Sequence, residues 1–163
     1  FVLLHAITAS SVKEWKLSEM VVDLAKQLNA KEIICLEGVG SSEESTTSRV
    51  FYYSNNEKNK NKFKKIKVEL LKEGIIIGVT GAVLLRSEKI PVSCIFAETH
   101  TNLPDSKAAA KVIEVLDKYQ GLKVDYKPLL VQAEKFEGKL KNLLTESQKT
   151  QQLSEKKKLS YVG

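Results

Sequence analysis

The stretch from Gly78 to Leu116 most constrains what this chain can fold into. It reads as helix, strand, loop, helix. Gly78-Val79-Thr80-Gly81 opens a short apolar helix that ends near Arg86. Pro91 then precedes Val92 to Ala97, a run short and apolar enough for a buried strand. Glu98 to Leu103 reads as a polar loop. Pro104-Asp105-Ser106 starts a second helix, with Leu103 or a neighbour near the cap and Asp105 in the first turn, where the helix dipole favours an acid. A strand flanked by two helices belongs to an α/β sheet.

The rest of the chain fits that frame. Phe1-Val2-Leu3-Leu4 reads as a buried strand with His5 at its carboxyl end. Ser10 or Ser11 caps a helix running to about Leu28, whose apolar face is Trp15, Leu17, Met20, Val21, Leu24 and Leu28. Ile33 to Leu36 is the next strand. This is a βαβ unit with short connections, which predicts a parallel pair and a right-handed crossover. Gly38 to Ser48 is a polar loop. Its G-V-G lacks the third glycine and the following helix of a dinucleotide fingerprint, and the chain has no phosphate loop. Arg49 to Tyr53 is a β-branched and aromatic strand, antiparallel or at an edge.

Glu57 to Lys67 (EKNKNKFKKIK) is a lysine-coated helix with Phe63 and Ile66 on its inner face. Its outer face is either a solvated surface or a patch for an acidic partner. The net charge is +6, but only Arg49 and Arg86 among the basic residues are arginine. Nucleic-acid sites favour arginine for bidentate contacts, so a nucleic-acid partner is disfavoured. The helix from Pro104 stops at Gly121, a good C-terminal signal.

A long helix begins at Tyr126 or Pro128. Leu129, Ala133, Phe136, Leu140 and Leu143 form a heptad-like stripe on it, for packing on the chain's own sheet or between subunits. Residues 1–144 form a single α/β domain. Residues 145–163 form a polar C-terminal tail ending in Leu159, Tyr161, Val162 and Gly163, a tip suited to docking. Phe1 opens inside an apolar run and without Met, so an N-terminal portion upstream is expected.

The chemistry-bearing residues are sparse. Cys35 and Cys94 lie in apolar strands and read as small buried hydrophobes, with a cross-strand disulfide as the alternative. With two histidines in the chain, no metal spacing exists and no metal is expected. His5, Glu37, Glu98 and His100 fall at or just past strand ends, where open α/β sheets bind ligands. They define the enzyme alternative, a small-molecule hydrolase or nucleoside-type transferase using a histidine and a glutamate as acid and base. No apolar run is long enough to span a bilayer and no signal peptide is visible, which predicts a cytoplasmic chain.

The segments Gly78 to Leu85, Ile90-Pro91, Ala97-Glu98-Thr99 and Pro104 to Ala110, in this order and spacing, resemble the proteasome assembly chaperone family. The similarity is greatest to archaeal relatives of the second subunit of the eukaryotic chaperone pair. The resemblance implies a three-layer sandwich with a mostly parallel sheet between helices, a long C-terminal helix and a flexible tail. It marks Gly78, Gly81, Pro91, Glu98, Thr99, Pro104 and Asp105 as structural motif residues. It also implies a homo-oligomeric, non-enzymatic chaperone or adaptor without a cofactor, binding the proteasome core particle through its α subunits. Family tails dock with tyrosine in the penultimate place, whereas Tyr161 is third from the end here.

Overall fold

The computed structural model describes residues 1–5, 13–40, 49–99 and 105–146, save 129, 133, 137 and 141. At its centre is β4 (Val92–Thr99), buried from Val92 to Glu98. A continuous apolar run has no solvent face, so it takes the middle of the sheet. β1 (Ile33–Gly40) pairs with it in parallel, with Ile33 opposite Val92 and Gly40 opposite Thr99. β2 (Val50–Ser54) pairs with its other side antiparallel, and the two-residue β3 (Glu69–Leu70) pairs parallel with β2. The order is β1-β4-β2-β3, so two of the three pairings are parallel.

Two strand expectations change. Phe1–Leu4 is not a strand: residues 1–5 carry no regular structure and Phe1 is 92% exposed. An apolar run becomes a strand only with a ladder partner, and among the described residues Phe1–Leu4 has none. The parallel partner of β1 is therefore β4 rather than the start of the chain. The strands also run further than expected. β1 continues through Gly38-Val39-Gly40, and β4 takes in Glu98 and Thr99, because each supplies the other's ladder.

Helices cover both faces. On one side lie α2 (Glu57–Lys65) and α4 (Ser106–Gln120). Phe63 of α2 and Ala108, Val112, Val115 and Tyr119 of α4 enclose Tyr52, Ile95 and Ala97 of the sheet. Tyr52, Phe63 and Tyr119 form a stack, with ring centroids 4.6 and 4.1 Å apart. On the other side α3 (Gly78–Arg86) sets Val83 on Val92, Cys94 and Phe96. α1 (Glu14–Gln27) lies against α3, completing three layers.

The caps follow from the sequence with one adjustment. Asp105 is itself the N-cap of α4, its carboxylate accepting from the Ala108 N–H at 2.9 Å. Gly121 ends that helix at φ 68°, a left-handed conformation favouring glycine. Asn56 caps α2 by accepting from the Asn59 N–H. Helix α1 keeps part of its expected face, with Val21 packed against the core and Leu17 and Leu24 half-buried. Its buried residues are Ser18, Val22 and Ala25, while Trp15, Met20 and Leu28 are exposed. Small side chains let α1 approach α3 closely, and the Ser18 hydroxyl is satisfied by donating to the Trp15 carbonyl at 2.7 Å. Ser10 and Ser11 lie outside the described residues.

Residues 127–146 are helical wherever described. Phe136 is 60% exposed and Leu143 63%. Leu130 and Leu140 are half-buried, and Leu129 and Ala133 lie outside the described residues. The tail with Leu159, Tyr161, Val162 and Gly163 does too, as do His100 and Pro104.

Candidate functional site

The parallel strands β1 and β4 end together, with Gly40 beside Thr99 and Val39 beside Glu98. β2 begins at the same end, so Arg49 comes to face Glu98. The two form a bidentate ion pair, Nε to Oε2 at 2.9 Å and Nη2 to Oε1 at 2.8 Å. The Arg49 backbone N–H adds a third contact to Oε2, and the Glu98 N–H donates to the Arg49 carbonyl. The Glu98 side chain is 7% exposed while the Arg49 side chain reaches water. Arg49 also lies over the Phe51 ring at 5.6 Å. A carboxylate so buried requires a partner, and this one has a planar fork on it.

Glu37 lies on the α3 face of β1, opposite Phe96. Burial pushes its carboxyl above the usual carboxylate range, and a hydrogen bond with the Thr80 side chain of α3 offsets part of that. One of its oxygens, Oε2, is buried without a hydrogen-bond partner. Two residues back, Cys35 stands across from Cys94. The motif residues around them have structural roles. Gly78 takes φ +82° where the chain turns into α3. At Gly81 a Cβ would sit 2.6 Å from the Ile76 carbonyl oxygen, so the backbone passes too close for any side chain. The Pro91 carbonyl accepts from the Ile33 N–H, and the Thr99 hydroxyl donates to the Val39 carbonyl.

Of the four strand-end candidates, the sheet places Glu37 and Glu98 on one face and engages them with different partners. His5 belongs to the exposed segment 1–5, so it marks no strand end. Among the described residues, no group of three or more His, Cys, Asp or Glu could hold a metal ion.

Two further features were not signalled by local sequence. A groove of about 500 Å³ opens between α1, α3 and the segment before α3, lined by Trp15, Tyr53, Ile76, Ile77 and Leu85, with Glu14 at its edge. Arg86 sits over Trp15 at 5.1 Å and pairs with Glu19 at 2.6 Å beside it. At the opposite end of the sheet, Glu32 gathers three side-chain donors. Asn59 donates at 2.8 Å, Tyr119 at 2.9 Å, and the Ser93 hydroxyl completes the set. Burial and the Glu32 carboxylate push the Tyr119 hydroxyl above its ordinary range.

The molecule is thus a three-layer α/β scaffold whose buried polar groups are mostly tied to one another. Residues 1–144 match the PAC2 family, and the chain belongs to that family. It is 30% identical over 165 aligned residues to an uncharacterised protein of Methanocaldococcus jannaschii, an alignment covering 99% of this chain and 67% of that one. Its fold is similar to that of Pyrococcus furiosus PbaA, described as an archaeal homolog of proteasome-assembly chaperone. The TM-score is 0.75 and the identity 28%, over 93% of this chain and 65% of PbaA. Pyrococcus furiosus PbaB, described as an archaeal proteasome activator, shares the fold at TM-score 0.68 and 21% identity, over 86% of this chain and 62% of PbaB. The chain spans about two thirds of the length of these relatives. Among the described residues, no helix is long and apolar enough to cross a membrane.

Proposed function

We propose that the chain is a non-enzymatic, cytoplasmic, homo-oligomeric chaperone or adaptor of the proteasome core particle, acting as an assembly factor or ATP-independent activator without a cofactor. The observation that carries the reading is the likeness to PbaA at 28% identity across 93% of the chain. In this reading residues 1–144 are the folded body and 145–163 the docking tail. Leu159, Tyr161, Val162 and Gly163 form the part of the tail that enters a pocket between α subunits. Two apolar surfaces support self-association, the Phe136 and Leu143 side of the C-terminal helix and the groove at Trp15, Ile77 and Leu85.

Co-sedimentation with purified proteasome core tests the proposal, comparing the intact chain with one ending before Leu153. Loss of binding on truncation supports the docking tail, and retained binding assigns the contact to the body. Absence of binding by either chain removes the proteasome as partner.

One observation favours the hydrolase or transferase reading. The Glu37 carboxyl, held toward its protonated form, has a buried oxygen without a partner, as a general acid would. Against it, Glu98 is committed to Arg49. Undiminished biological activity in Glu37→Gln and Glu98→Gln variants would remove this reading.

A further inference from the structure

The chain has two cysteines, and the topology brings both to one rung of the sheet. Cys35 of β1 is registered directly against Cys94 of β4. Registered residues on neighbouring parallel strands point to the same face. Here it is the α3 face, where Cys94 is buried with Val92 and Phe96 and Cys35 packs beside it. Both thiols are free. Adjacent strands run about 4.8 Å apart. That lies within the window of roughly 4.4–6.8 Å between α-carbons that a disulfide spans.

The two thiols are not equivalent. Cys94 is enclosed, whereas Cys35 is half-buried on an outer strand. Contact with the Cys94 thiol holds Cys35 below the ordinary thiol range despite its burial and the nearby Glu37. The same contact, with burial, pushes Cys94 up. A thiol with thiolate character and some access meets an oxidant first, and a protonated neighbour resolves the product.

We propose that Cys35 and Cys94 are a peroxide-oxidisable dithiol that closes an intramolecular disulfide between β1 and β4. The Cys35 thiolate attacks hydrogen peroxide. A sulfur–oxygen bond forms as the oxygen–oxygen bond breaks, and the leaving hydroxide takes up the thiol's proton to become water. The Cys94 sulfur then attacks the Cys35 sulfenic acid. The sulfur–sulfur bond forms, the sulfur–oxygen bond breaks, and the second hydroxide leaves as water with the Cys94 proton. Two thiols lose two electrons, and one peroxide is reduced to two waters. The bridge ties β1, whose ladder partner among the described residues is β4, to the centre of the sheet. The inference is independent of the proteasome reading.

The test uses the intact reduced chain, treated with hydrogen peroxide under native conditions and then unfolded in an alkylating reagent. Both thiols are expected to be lost together. A peptide pair containing Cys35 and Cys94 should be joined, the chain should remain uncrosslinked to other chains, and both thiols should return on reduction. Closing a loop of this length should raise Tm by about 10 °C, reversed by dithiothreitol. A Cys94→Ser chain should show no gain in Tm and should retain a sulfenic acid at Cys35 that a dimedone probe captures. Thiols that both stay alkylatable would overturn the proposal. So would loss of one without the other in the wild type, or bridges formed only between chains.

Discussion

Replacing Glu32 with alanine should destabilise the protein more than any other single surface-reaching carboxylate. Glu32 is half-buried and just precedes β1, yet it holds side chains from α2, β4 and α4 at once. Its Oε1 accepts from Asn59 at 2.8 Å and from the Ser93 hydroxyl, and Tyr119 reaches both oxygens, at 2.9 and 3.1 Å. Ser93 is wholly enclosed and Tyr119 is buried, so water does not readily replace the acceptor. At a net loss of about 1 to 1.5 kcal/mol for each of the three donors, Glu32→Ala should cost roughly 3–4 kcal/mol. Glu32→Gln keeps one acceptor oxygen, loses the charge and turns a donor toward Tyr119, so about 1–2 kcal/mol is expected. Urea unfolding at neutral pH measures both, read as a midpoint shift at unchanged slope. The reasoning fails if Glu32→Ala lies within about 0.5 kcal/mol of wild type, the range of an ordinary surface substitution. It fails equally if Gln costs as much as Ala, since acceptance of hydrogen bonds would then not be the cause.

Gly81→Ala should lower stability by about 2–4 kcal/mol, because its Cβ would meet the Ile76 carbonyl oxygen at 2.6 Å. Gly40→Ala, with nothing within 4 Å of the new methyl, is the control and should be near neutral by thermal unfolding. Glu37 binds its proton more tightly folded than unfolded, so its contribution is present at acid pH and lost as pH rises above the ordinary carboxylate value through the raised folded one. Glu37→Gln should therefore raise Tm at neutral pH and have little effect near pH 3, and equal effects at both would refute the assignment. Asp105→Ala removes the α4 cap and should cost about 1 kcal/mol in urea unfolding.

Local signals in the chain proved sufficient where the cause was local. The bounds of α3, Gly78 to Arg86, follow from glycines before an apolar run, and Gly121 stops α4 because it can take a positive φ. The burial of β4 was legible in Val92 to Ala97 for the same reason. Features made by topology were not. The Arg49–Glu98 pair exists because β2 runs back along β4, and no spacing in the sequence encodes that return. Glu32 looks like one of many surface acids until Asn59, Ser93 and Tyr119 arrive from three other elements. Helix α1 was legible in part: Val21 packs on the core, but Trp15 and Met20 are exposed while Ser18 and Ala25 are buried. Hydrophobicity predicts burial only when the neighbour has room for bulk. The lysines of α2 reached a modest outcome, with Lys60 on Glu57 and Lys62 over the Tyr119 ring.

The unequal margins of the sheet limit how it can grow. At one side β3 offers two residues, too few to template a further strand. At the other, β1 presents eight residues without a proline, and its ladder is used only on the β4 side among the described residues. Among the described residues, strand addition therefore has a single productive side. Two such surfaces meeting edge to edge would consume both, so assembly by that route closes at a pair instead of propagating as a fibre.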